Sequence, residues 1–164
     1  NIKKNQKKSR SQPVIVMNTK TEIPITYIKK EQIRIDYYYQ ISKAKEQKDI
    51  ERIIENLENG FGVLPNETKA LTNTAHLRIL LMDSLIKKVE GFDNKVVLFF
   101  KKPESDFDII GFFQSVESFK HKNLVNYKYE NNDKSGLKIY FETFSFFPSL
   151  KLLFSFIKTI QGFL

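Results

Sequence analysis

Apolar residues recur along this chain with two different spacings, and each spacing predicts its own kind of element. A β-branched run at 13–17, Pro13-Val14-Ile15-Val16-Met17, predicts a short strand. Beyond Ile23-Pro24, residues Ile33, Tyr37, Ile41 and Ala44 repeat at helical intervals, with Arg34 and Tyr38 beside them, which predicts an amphipathic helix over 29–45. Ile50, Ile53, Ile54 and Leu57 then follow the i, i+3, i+4, i+7 pattern over 49–58, and Gly60-Phe61-Gly62 ends that helix, so the two pack as a hairpin. Asn66 is the expected N-cap of a third helix, whose face of Leu71, Ala75, Ile79 and Met82 runs to about residue 86.

The spacing then becomes extended. Val89 and the Val-Val-Leu-Phe-Phe run at 96–100 flank Gly91-Phe92-Asp93-Asn94, a hairpin signal, and Pro103 ends the second strand. Asp106 is expected to cap a helix with a core stripe of Ile109, Ile110, Phe113 and Val116. A second extended pair, 127–129 with 137–141, surrounds the turn residues at 131–136. A terminal helix over 148–164 places Leu150, Leu153, Phe154, Ile157 and Ile160 on one side. The fold class expected is α+β: a helical N-terminal half, then small antiparallel β-pairs with an intervening helix, then a C-terminal helix. One domain over 13–164 follows a basic arm or linker over 1–12.

Composition supports a folded chain, with hydrophobic residues at 41% and 15 phenylalanines among 164 residues. The net charge of +8 is unevenly placed. Lys3, Lys4, Lys7, Lys8 and Arg10 contribute +5 in the first ten residues, and the remaining 22 cations and 19 anions leave only +3 for the folded part. The arm carries one apolar residue, Ile2, so it reads as a solvated tether, and it lacks the apolar core of a signal peptide. Its five cations could also contact DNA through phosphates, without aromatic residues to stack on bases. The chain does not begin with Met and reads as part of a longer protein.

The chemistry available is narrow. With no cysteine and only His76 and His121, disulfides, thiolate catalysis, iron–sulfur clusters and multi-histidine metal sites are excluded. No phosphate-binding loop, HExxH or GxSxG motif occurs, so no catalytic, cofactor or metal residue is assigned. Asp106 and Asp108 read as helix-capping acids, and Glu51, Glu55 and Glu58 as a solvated stripe. His76 reads as a partly exposed helix residue. Lys151 and Lys158 interrupt the Phe-rich end, which predicts a core helix and not a membrane span.

One ordered set of residues goes further: Ile23-Pro24, Tyr27-Ile28, Arg34, Tyr38, Ile41 and Ala44, then Leu57, Phe61-Gly62 and Leu64-Pro65, then Ala75 and Leu77-Arg78. It resembles the C-terminal domain of the bacterial transcription-repair coupling factor (Mfd) family, whose pattern runs iP..Yi......R...Y..l..A, then EL.DRFG.LP, then a helix with A.LR. The resemblance covers about residues 13–100. It implies a cytoplasmic parent that is an ATP- and magnesium-dependent translocase on double-stranded DNA, displaces stalled RNA polymerase and recruits UvrA for nucleotide excision repair. It implies for this domain no ATP hydrolysis, no cofactor and no membrane contact. The implied partner is the parent's own UvrA-binding module, held in an autoinhibitory clamp.

The chain departs from the pattern where the family has Glu, Asp and Arg around a conserved spacing of Leu and Phe. Asn56, Asn59 and Gly60 stand at those positions, between the retained Leu57 and Phe61-Gly62. Asn56, Asn59, Gly60 and Phe61 are the interface candidates that the resemblance implies. Leu57, Phe61, Leu64 and Pro65 are expected mainly to fix the turn between helices. Charge-assisted hydrogen bonds contribute about 1.5–3 kcal/mol each, so the substitution implies a weaker clamp than in relatives that keep Asp-Arg.

Overall fold

A computed structural model describes residues 11–92, 95–102, 105–123, 126–132, 136–142 and 150–164. The basic arm at 1–10, the turn residues Asp93 and Asn94, Pro103, the 133–135 turn and Pro148 lie outside the described residues, as does the side chain of His121. A short strand, β1 (Val14–Met17), is followed by α1 (Glu31–Lys43), α2 (Gln47–Phe61) and α3 (Asn66–Leu80). The sheet hairpin β2 (Ile86–Phe92) and β3 (Lys95–Phe100) comes next. Helix α4 (Ile109–Asn123), strands β4 (Asn126–Asn132) and β5 (Gly136–Glu142), helix α5 (Leu150–Ile160) and a 3₁₀ turn (Gln161–Phe163) complete the order.

The protein is α+β, as its pattern predicts. The three N-terminal helices enclose one core of Ile28, Ile41, Ile50, Ile53, Leu57, Leu64 and Ala75. The sheet and the helices α4 and α5 enclose a second, built from Val89, Val96, Leu98, Phe112, Val116, Ile139, Phe156 and Ile157. Helix α3 joins the two, giving Ala75 to the first and Leu77 to the second.

The sheet has five strands in the order β1-β2-β3-β5-β4. Its β2–β3–β5–β4 part is antiparallel, as two successive hairpin signals predict. The sequence pattern did not show that β1 joins it, parallel to β2 in the register Val14 to Lys88 through Met17 to Gly91. That pairing spans three helices, and period-two spacing within a strand carries no information about so distant a neighbour.

Four local expectations change. Pro65, not Asn66, occupies the N-cap position of α3, and its φ of −61° suits the helix entrance. Helix α3 stops at Leu80 and not near residue 86, because Asp83 takes the left-handed conformation at φ 60° and exchanges two hydrogen bonds with Ser11. Ile86 opens β2 instead, its N–H bonded to the Ser84 hydroxyl. Asp108, not Asp106, caps α4, accepting the Gly111 N–H at 2.9 Å. The core stripe of α4 is accordingly Phe112, Val116 and Phe119, while Ile109 and Ile110 point outward, 44% and 70% exposed. The sequence allowed either phase because apolar residues occupy both flanks of this helix.

Candidate interdomain interface

The residues that carry the family pattern turn out to close the backbone of the helical half. Helix α2 ends at Gly62, whose φ of 87° lies in the region that glycine enters without strain and whose N–H bonds to the Glu58 carbonyl. The hydroxyl of Tyr27, with one proton to donate, lies 2.7 Å from the Gly62 carbonyl oxygen and 3.1 Å from that of Leu57, so it ties the segment after Pro24 to the end of α2. Burial, reinforced by the neighbouring Glu58, holds the Tyr27 hydroxyl protonated above its ordinary range. Phe61 packs edge-on against Tyr27 and Tyr37, with ring centroids 5.9 and 6.2 Å away.

The two arginines do comparable work elsewhere. Arg34 Nη1 donates to the carbonyls of Ile28 and Lys29 at 2.7 and 3.0 Å and fixes the entry to α1. Arg78 Nη2, from α3, donates to the Ile41 carbonyl at 3.0 Å, and its two terminal nitrogens approach those of Ser42 and Ala44. A cation at the C-terminal end of α1 also meets the negative end of that helix's dipole. Tyr38 Oη accepts the Ile23 N–H at 2.7 Å, which ties the Ile23-Pro24 segment to α1. Leu64 is buried and Pro65 leads into α3. Pro24, Tyr27, Arg34, Tyr38, Leu57, Gly62, Leu64, Pro65 and Arg78 thus form one scaffold.

What this scaffold presents to solvent is the end of α2. Asn56, Asn59 and Gly60 are exposed there, and Phe61 is half-buried beneath them. Val63, just past the helix, is 79% exposed, and Ile25 is 64% exposed. Glu51, Glu55 and Glu58 are exposed on the same helix, as the stripe predicts. Gly60 has open space where a side chain would be, so this position accepts a larger residue. The surface therefore combines polar amides, exposed carboxylates and an apolar corner on a rigid support, which suits a protein contact.

No group of three or more potential metal ligands occurs among the described residues. No helix among them is long and apolar enough to cross a membrane. Lys3, Lys4, Lys7, Lys8 and Arg10 lie outside them.

His76 is more enclosed than its position on α3 suggests. Its Nε2 atom is buried with no hydrogen-bond partner, and its ring meets Phe154 of α5 edge-on at 6.5 Å. Burial lowers its pKa below the ordinary 6.5, against the opposing pull of Glu51. The unfolded chain therefore takes up this proton first. The stability that neutral His76 contributes is complete above pH 6.5 and declines as pH falls below it. Replacing His76 by Leu is expected to reduce the fall in melting temperature between about pH 7 and pH 5. Parallel melting curves for the two proteins at both pH values check this.

Comparison with known proteins agrees with the geometry. The model of the TRCF domain family matches residues 17–109, more than half of the chain. The transcription-repair-coupling factor of Borreliella burgdorferi is 33% identical over 112 residues, which is 68% of this chain and 10% of that protein. That of Buchnera aphidicola subsp. Baizongia pistaciae is 32% identical over 79 residues, covering 48% of this chain and 11% of that one. The chain thus spans about a tenth of the length of these curated relatives. A crystal structure of the C-terminal domain of a transcription-repair coupling factor superposes with a TM-score of 0.74, covering 93% of this chain and 95% of the other at 18% identity, which establishes the shared fold. The chain belongs to the TRCF domain family.

Proposed function

We propose that this chain is the regulatory C-terminal domain of a transcription-repair coupling factor and that it docks on the UvrA-binding module of its parent as an autoinhibitory clamp. On this reading the domain performs no chemistry. The parent is an ATP-dependent translocase on double-stranded DNA that removes stalled RNA polymerase and then recruits UvrA. The observation that carries the reading is the exposed end of α2, where Asn56, Asn59 and Gly60 stand at the polar positions of the family pattern above a support tied together by the Tyr27 hydroxyl. Docking here hides the module until the motor engages polymerase.

The substitution of Asn59 and Gly60 for Asp and Arg makes the clamp weak, and it can be reversed. Both positions are exposed and Gly60 faces open space, so Asn59→Asp with Gly60→Arg leaves the fold intact. The double variant is expected to bind the separately produced UvrA-binding module at least about tenfold more tightly than the natural chain, as one restored charge-assisted hydrogen bond would give. Calorimetric titration at two salt concentrations checks this, and an unchanged affinity would remove the α2 end from the interface. The arm's five cations support the alternative, a nonspecific nucleic-acid-binding module. Deleting residues 1–10 separates the readings, because clamp docking survives that deletion and arm-dependent DNA binding does not.

A further inference from the structure

Strand β4 is the last in the sheet, and among the described residues no strand pairs with its outer side. Along it runs a groove of about 820 Å³, lined by the apolar Ile109, Ile110 and Phe113 and the polar Gln114 and Glu117 of α4 and by Tyr129 of β4. Ile110 is 70% and Tyr129 58% exposed, and the Phe113 and Tyr129 rings meet at 4.9 Å. A largely apolar helix flank beside a strand edge that no described residue pairs with is a surface fit to take a further strand.

The two charges at the middle of β4 distinguish among its central pairing registers. Lys128, Tyr129 and Glu130 are consecutive, so Tyr129 faces the helices while Lys128 and Glu130 lie on the opposite face. Two copies of this edge can pair antiparallel about a twofold axis normal to the sheet, which keeps both helical layers on one side. Such an axis passes midway between one residue and its own copy, so that residue faces itself. Centred on Lys128 it opposes two lysines, and centred on Glu130 two glutamates, and like charges directly opposite one another are destabilising. Centred on Tyr129 it sets Lys128 across from the second copy's Glu130, twice by symmetry. It also brings the two Tyr129 rings together over the joined grooves.

We propose that β4 is the contact strand of a symmetric dimer of this chain in the Tyr129-centred register. The interface is isologous, so it closes on itself and leaves no further edge on that side. The sheet continues through both copies, and Ile110 of each is covered by the α4 flank of the other.

Because the chain has no cysteine, Tyr129→Cys introduces a single thiol. Two such thiols lie directly opposite in this register, and mild oxidation of the 164-residue chain is expected to give a covalent dimer that Val63→Cys, remote and exposed, does not give. Sedimentation equilibrium of the natural chain is expected to show a reversible dimer. Lys128→Glu weakens it about tenfold, because two cross-strand attractions become repulsions. Combining Lys128→Glu with Glu130→Lys restores it, since the exchange keeps both pairs. Ile110→Glu weakens it as well with unchanged circular dichroism. A monomer at concentrations up to about 1 mM, or a dimer that Lys128→Glu leaves alone or the exchange fails to restore, overturns the proposal.

Discussion

Phe112→Ala lowers the unfolding free energy of this chain by about 3–5 kcal/mol, whereas Ile110→Ala, two residues earlier on the same helix, changes it by less than about 0.5 kcal/mol in dilute solution. Phe112 is fully buried, and its ring centroid lies 5.7 Å from those of Phe100 and Phe107, 5.4 Å from that of Phe113 and 5.8 Å from that of Phe163. Its removal leaves a void where β3, α4 and the C-terminal 3₁₀ turn meet, and four aromatic neighbours cannot all move to fill it. Ile110 points into the open groove and loses little. Urea titration at micromolar protein gives both values, and equal effects would mean that α4 is rotated about its axis.

Leu57→Ala is the second large effect, about 2–5 kcal/mol. Leu57 is fully buried beneath the end of α2, and its carbonyl is one of the two that the Tyr27 hydroxyl approaches. The cavity lies under the proposed docking surface, so the change also loosens the packing of Phe61 against Tyr27 and Tyr37. Asn56→Ala and Asn59→Ala, exposed on the same helix, are expected to shift stability by less than about 0.5 kcal/mol. Chemical denaturation and near-ultraviolet circular dichroism of the tyrosines separate these cases. A Leu57→Ala chain as stable as the natural one would show that α2 does not pack as described.

The contrast between Phe112 and Ile110 also marks how much of the fold the sequence made legible. Helix α2 was readable because Ile50, Ile53 and Leu57 are apolar at helical spacing while Glu51, Arg52, Glu55 and Asn56 beside them are polar, so only one phase buries them. In α4 the apolar residues Ile109, Ile110, Phe112 and Phe113 occupy both flanks, and local spacing could not choose which one meets the sheet. The end of α3 was hidden for a similar reason. Leu77, Leu81 and Ile86 are all buried and keep the apolar run going through a turn that Asp83 makes with the help of Ser11, a partner 72 residues distant. Long-range pairings such as β1 with β2 leave no periodic trace at all.

The candidate surface was legible in a different way. Nothing about Asn56, Asn59 or Gly60 as residue types signals a contact, and they became candidates through a resemblance and its local departure. The structure supplies their exposure and the scaffold below them. Tyr27, Arg34, Tyr38 and Arg78 are the reverse case. They stand out in the sequence, and each proves to satisfy backbone groups within the helical half. Sequence prominence here tracks the difficulty of closing four helix ends and loops in a small domain, and the contact surface is what those closures leave outside.

The measurement that bears most directly on the proposed clamp is the UvrA affinity of the full-length parent, with and without the segment corresponding to residues 1–164. A weak clamp predicts that removing the domain raises the affinity, by a modest factor of about three- to tenfold. It also predicts that restoring Asn59→Asp with Gly60→Arg in the intact parent lowers the affinity. Equal affinities in the presence and absence of the domain would contradict the account.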